Sequence, residues 1–150
     1  PIIAALEEGA EVELITDNVH IHPAVVRFTF NTFGDDHVIL IADSMMACGL
    51  PDGQYSLGGQ AVTVHGRRAT LTEQEGTIAG SAANLYDCMR RAVSFGIPVE
   101  QAVLSATAVP ARELGRQGEL GMIADGLQAD FVVCGEDLSR RAVYLGGQRL

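Results

Sequence analysis

One stretch constrains this chain more than any other: HVILIA at 37–42, apolar after its histidine, followed at once by the carboxylate Asp43. An unbroken apolar run rich in β-branched side chains reads as a strand buried on both faces, as in a parallel sheet. Parallel neighbours need a crossover, usually a helix. EVELIT at 11–16 supplies the other strand. Between the two, AVVRFTFNTF after Pro23 carries apolar residues at helical spacing, with proline at a permitted first-turn position. The order strand, helix, strand predicts a βαβ unit. Ahead of it, residues 2–8 (IIAALEE) predict a short helix stopped by Gly9.

Beyond about residue 50 the pattern changes. YSLGG, AVTVHG and RATLT are short alternating runs separated by turn residues, which predicts antiparallel strands. From Ser81, AANLYDCMRRAVSF predicts a helix with Ser81 as N-cap and Gly96 as stop. A second helix is expected from Pro98 to about Ser105, and a helical turn over VPARELG, closed by Gly115. ADFVVCG and RAVYLGG predict two terminal strands. A compact domain rarely changes style so often, whereas the end of a barrel beside part of a small β domain accounts for it. The chain opens at Pro1 in mid-pattern, so it is expected to be the end of a longer one. A two-strand remnant of a parallel sheet would expose unpaired edges and favour aggregation.

Composition narrows the function. With 47% apolar and 19% charged residues the chain can build a core and is not disordered. A net charge of -9 repels nucleic acid and anionic membranes, so neither is expected as a partner. A small anionic ligand stays open, because local groups can outweigh the overall field. No apolar run reaches the roughly 18 residues of a membrane span, and no signal peptide is visible. Cys48, Cys88 and Cys134 lack CxxC spacing, which argues against a zinc ribbon or a disulfide framework. Free thiols suit a reducing cytosol, so a cytoplasmic location is expected.

In parallel α/β folds the working residues gather after the C-terminal ends of strands. Asp17 and His20 follow the first strand, and Asp43 follows the second. A carboxylate at Asp43 is either a helix or turn cap or a catalytic group, and position alone leaves the two even. His20 weighs less, since a loop histidine is more often a satisfied polar residue. His22 precedes Pro23 and fits a helix start. His37 and His65 fit strand edges on a solvated face. Gly76, Gly80 and Ser81 bracket a tight loop that opens a helix, where backbone N–H groups could meet an anion. An ordinary capped helix explains that loop equally well.

Four segments together carry a resemblance. ITDNVHIHP, VILIADSMMACGLPDGQYSLGG, EGTIAGSAANLYDCMRRAV and ATAVPARELGRQGELGMIADGLQADFVV occur in this order. They are similar to the C-terminal half of N-acetylglucosamine-6-phosphate deacetylases of the amidohydrolase superfamily, over nearly the whole chain. Three departures stand out. DNVH replaces DGxH, placing Asn18 at a glycine position that asparagine tolerates. ADSM replaces TDAM with the aspartate kept, and AVPAR replaces NPAR with Val109 at the asparagine position.

The resemblance implies an α/β fold: the C-terminal part of a (β/α)8 TIM-like barrel plus part of a small β domain. It divides the chain into last barrel strands and helices (1–50), an antiparallel region (51–76), closing helices with a substrate loop (77–115) and small-domain strands (116–150). It implies Asp43 as the catalytic group. It implies substrate contacts at Asp17, Asn18, Val19 and His20, and at Ile78, Ala79 and Gly80, whose backbone would close over a sugar phosphate. The family's divalent metal, zinc or iron, would be held by a glutamate and two histidines upstream of Pro1 and by no residue of this chain. A homodimer is implied as well. The reaction would be hydrolysis of an acetamide to glucosamine 6-phosphate and acetate. Metal-activated water would attack, and Asp43 would take and return the proton. Two alternatives stand beside this: another amidohydrolase, dihydroorotase- or deaminase-like, and a non-catalytic α/β binding module.

Overall fold

The structure, a computed structural model, describes residues 2–74 and 76–150. Pro1, where the chain opens, and Glu75, first residue of the EGTIAGS segment, lie outside the described residues.

The βαβ unit is present. Helix α1 (Ile2–Glu7) leads into β1 (Val12–Ile15), helix α2 (Pro23–Phe33) and β2 (Val38–Ile41). The two strands pair in parallel from Val12↔Val38 to Ile15↔Ile41. Helix α2 begins where His22 accepts a hydrogen bond from the Ala24 N–H through Nδ1 at 3.1 Å, with Pro23 in the first turn. It buries Val26, Phe30 and Phe33, a stripe at i, i+4 and i+7. That stripe packs with Leu14, Val38 and Leu40 of the strands and with Met89, Ala92, Ile97 and Ala102 beyond. Val26, Val38 and Leu40 are almost fully covered, and such burial contributes about 1.5–3 kcal/mol per side chain.

Four strands make the antiparallel sheet: β3 (Gly53–Leu57), β4 (Gln60–His65), β5 (Arg68–Leu71) and β6 (Ile78–Ser81), in that order. Val62 and Val64 of β4 point into a second core with Met45, Ala47, Ala69 and Ala79. The sheet therefore runs to Ser81, beyond the boundary at 76 expected from the sequence. Three helices follow: α3 (Leu85–Ser94), α4 (Val99–Ala106) and α5 (Ala108–Glu113).

The helix expected from Ser81 starts later. Asn84 is the cap, accepting the Asp87 N–H at 2.9 Å, while Ser81 ends a strand. The tail forms β7 (Phe131–Cys134), β8 (Arg140–Leu145) and a short β9 (Gln148–Arg149) that the sequence did not suggest. Phe131 and Tyr144 stack across the first pair with ring centroids 4.6 Å apart. Tyr86 of α3 donates to the Leu138 carbonyl at 3.1 Å, tying this sheet to the helical layer.

The chain is thus mixed α/β, with one parallel pair and two antiparallel sheets. No helix among the described residues is long and apolar enough to cross a membrane. Cys48, Cys88 and Cys134 are free thiols.

Candidate active site

The loop after β1 is built around a buried carboxylate. Asp17 is only 2% exposed. Its Oδ1 accepts the N–H groups of Val19 at 2.9 Å and His20 at 3.0 Å. Its Oδ2 lies 2.8 Å from His20 Nδ1 and accepts from the Ser81 hydroxyl at 3.0 Å. Burial alone would push this carboxyl's pKa up. The backbone hydrogen bonds from His20 and Val19, with the His20 ring, outweigh it and hold the pKa below the usual aspartate value. Between the bonded residues, Asn18 takes the left-handed conformation with φ 68. Asparagine accepts that conformation more readily than most residues. Asn18 is exposed, and Val19 and His20 are half-buried.

The preceding Thr16 is wholly buried and donates from Oγ1 to the Cys88 carbonyl at 2.7 Å, anchoring the loop's root to α3. Burial, with the Asp17 charge beside it, pushes the Cys88 thiol up to about 11, so it stays neutral.

Asp43 leaves β2 with φ 49 and an exposed side chain. No helix begins after it, and the next element is β3 at Gly53. Helix capping therefore does not explain this carboxylate, and among the described residues it makes no hydrogen bond to the turn at 46–49 that follows. Aspartate, like asparagine, accepts the left-handed conformation more readily than most residues, so the chain turns here at little cost.

Ile78, Ala79 and Gly80 were expected in a loop that opens a helix, and they lie in β6 instead. The reason is non-local. Thr70 pairs with Ile78 and Arg68 with Ser81, so β6 finds its partner in β5. On its other side, Ser81 bridges Ser44 in parallel. Ala79 and Gly80 together oppose Ala69, a β-bulge, and Gly80 there has φ 80. Ala79 is buried in the second core, while Ile78 is partly exposed.

Ser81, read from the sequence as a helix cap, has a different part, joining the two loops. Its hydroxyl joins Asp17, its N–H donates to the Asp43 carbonyl at 3.0 Å, and its carbonyl accepts from Met45 at 2.8 Å. It brings the loop after β1 and the loop after β2 into one frame.

Two other histidine expectations divide. His65 is exposed, with Nδ1 2.8 Å from Asp52 Oδ2, as a solvated strand edge predicts. His37 is half-buried, and its Nδ1 lies buried without a hydrogen-bond partner among the described residues, contrary to a solvated edge. Its backbone joins the β1–β2 pair, the carbonyl accepting the Val12 N–H at 2.8 Å.

Among the described residues, no three His, Cys, Asp or Glu side chains converge in a way that could hold a metal ion. A cleft of about 430 Å³ lies elsewhere, lined by Arg67, Asp87, Arg90 and Leu138 among others, and it includes none of Asp17, His20 and Asp43. Its Arg67 and Arg90 already face Asp87 at 3.3 and 4.0 Å.

The sequence profile of the amidohydrolase family matches residues 1–150. The N-acetylglucosamine-6-phosphate deacetylase of Bacillus subtilis is 37% identical over 135 residues, covering 89% of this chain and 34% of that protein. A putative N-acetylgalactosamine-6-phosphate deacetylase of Escherichia coli K12 is 33% identical over 143 residues, covering 95% of this chain and 84% of that protein. Among solved structures, a variant of the Mycobacterium smegmatis N-acetyl-D-glucosamine-6-phosphate deacetylase in complex with N-acetyl-D-glucosamine-6-phosphate superposes with a TM-score of 0.88. It shares 37% identity, and the match covers 98% of this chain and 39% of that one. The chain thus spans about a third of the length of the Caenorhabditis elegans and B. subtilis relatives (32% and 34%).

Proposed function

We infer that this chain, which belongs to the amidohydrolase family, carries part of the active site of an N-acetylglucosamine-6-phosphate deacetylase. The observation that carries the reading is Asp43. It is an exposed carboxylate held in a left-handed conformation at the end of a parallel strand, with no helix for it to cap. The 37% identity to deacetylases over nearly the whole chain supports the same reaction. In this reading β1, α2 and β2 are the last elements of a (β/α)8 barrel, and β7–β9 belong to a small β domain. The parallel β1–β2 register and the superposition support that placement. The whole protein is then a cytoplasmic homodimer.

Amide hydrolysis needs a proton taken from the attacking water and a proton given to the departing nitrogen. Asp43 does both. As a base it receives the water proton while the bond to the carbonyl carbon forms. As an acid it returns that proton to nitrogen, so that glucosamine 6-phosphate leaves as a neutral amine. Without the return, the tetrahedral intermediate would expel water again, because an amide anion is a poor leaving group. His20, with Asn18 and Val19 beside it, holds the sugar or its phosphate from the loop after β1, and Ile78–Gly80 border the same ligand. Their contribution is positioning. Amidohydrolases are in general metal-dependent. In this reading the metal's ligands lie in other parts of the protein, and no step is derived through it.

The test is turnover by the full-length protein: acetate release from N-acetylglucosamine 6-phosphate and N-acetylgalactosamine 6-phosphate, ring opening of dihydroorotate, and ammonia release from adenine. The glucosamine compound is expected to give the highest kcat/KM. Preference for its galactosamine epimer would favour a second reading, which the E. coli relatives support. Turnover of neither amino sugar would overturn the reading.

A further inference from the structure

Asp17 differs from its neighbours in the loop after β1. Asn18 is exposed, Val19 and His20 are half-buried, and the Asp17 side chain is wholly covered. An ionised carboxylate offers about four lone-pair sites. Four donors meet this one: the N–H groups of Val19 and His20 on Oδ1, and the His20 ring and Ser81 hydroxyl on Oδ2. No site remains for a ligand. The Ser81 hydroxyl is itself committed, since its oxygen also accepts the Ala83 N–H at 3.1 Å. Its single proton is therefore directed at Asp17.

We propose that Asp17 does not touch the substrate but is a positioning residue: it fixes the tautomer and the orientation of the His20 ring, and Ser81 locks it from the antiparallel sheet. Opposite an acceptor-only group at 2.8 Å, the ring nitrogen Nδ1 must carry the hydrogen. Nε2 is left as the free nitrogen of neutral His20, an acceptor for a donor group of the ligand. The proposal rests on the reading that His20 contacts the amino-sugar ligand, and it narrows that contact to a sugar hydroxyl, which can donate to Nε2, rather than to the ionised phosphate oxygens, which cannot.

The test uses the full-length protein labelled with ¹⁵N-histidine, with His20 assigned by its loss in His20→Gln. Wild type is expected to show the Nδ1–H tautomer. Asp17→Asn keeps the size, and its oxygen still accepts from Val19 and His20. Its NH₂ group faces the ring, so Nδ1 must accept and the hydrogen moves to Nε2. The expected result is a switched tautomer, with KM for N-acetylglucosamine 6-phosphate raised about tenfold and kcat changed less than about threefold. Ser81→Ala keeps the backbone bonds to Asp43 and Met45. It is expected to retain the Nδ1–H tautomer while KM rises about two- to fivefold. An Nε2–H tautomer in wild type overturns the proposal, even if neither variant folds. So does a switched tautomer in Asp17→Asn with an unchanged KM. The tautomer is read without turnover, so a wild-type protein that releases no acetate defeats the proposed reaction and not this measurement.

Discussion

Ser81 and Asp43 are joined backbone to backbone: the Ser81 N–H donates to the Asp43 carbonyl at 3.0 Å. A strand of the antiparallel sheet thereby runs beside the segment that leaves the parallel pair, reinforced by Met45 N–H on the Ser81 carbonyl and by the Ser44 hydroxyl on the Ala83 carbonyl at 2.7 Å. Asp43 is a short-chain residue in a left-handed conformation, and this joint is what holds it there. The same serine carries the hydroxyl that reaches Asp17, so the ends of β1 and β2 are set against each other by one residue.

Gly80, immediately before that joint, sits at φ 80. A β-carbon there would lie 3.5 Å from Met45 Cβ, an ordinary contact, so the cost of adding one comes from the backbone. Gly80→Ala is expected to destabilise the fold by about 1–2 kcal/mol. Urea unfolding measures it, and an unchanged midpoint would show that the bulge relaxes without strain.

Gly121 has less room. At φ 99, a β-carbon would come within 2.7 Å of Ala111 Cβ and 3.1 Å of the Thr107 carbonyl. Gly121→Ala combines backbone strain with overpacking and is expected to cost about 2–5 kcal/mol. It should unfold at lower urea than Gly80→Ala. The reverse order would mean that the segment after α5 moves freely off the helices.

Acid should act through Asp17. Its folded-state pKa lies below the ordinary value, so its hydrogen bonds stabilise the fold at neutral pH. That contribution is lost as pH falls from about 3.9, the value in an unfolded chain, through the lower folded value. The stability difference between wild type and Asp17→Asn, measured by urea at pH 7, 4 and 3, should therefore shrink only at the acid end. A difference that grows as pH falls would contradict the direction of the shift.

Much of this was legible in the chain. The apolar run at 38–41 and the stripe of Val26, Phe30 and Phe33 declare a strand and a helix by period alone, and Asn18 sits in the left-handed conformation its replacement of a glycine suggested. What could not be read depends on partners far along the chain. Residues 78–81 carry no strand period, and they extend only because Arg68, Thr70 and Ser44 offer edges. With glycine and serine before a helical pattern, the same letters imitate a cap. Asp17 after a strand suggests an exposed group. It is buried because Ser81, 64 residues later, arrives to complete its hydrogen bonds.

The most direct test of the account is kcat for Asp43→Asn in the full-length protein acting on N-acetylglucosamine 6-phosphate. Asparagine fills the same space but has no basic oxygen to take a proton. General acid–base groups contribute about 10²–10⁴-fold, so kcat should fall by that much while KM moves only a few-fold. A variant that keeps more than about a tenth of the wild-type kcat has lost under about 1.4 kcal/mol of barrier stabilisation. That result would contradict the assignment of Asp43 as the group that moves the proton.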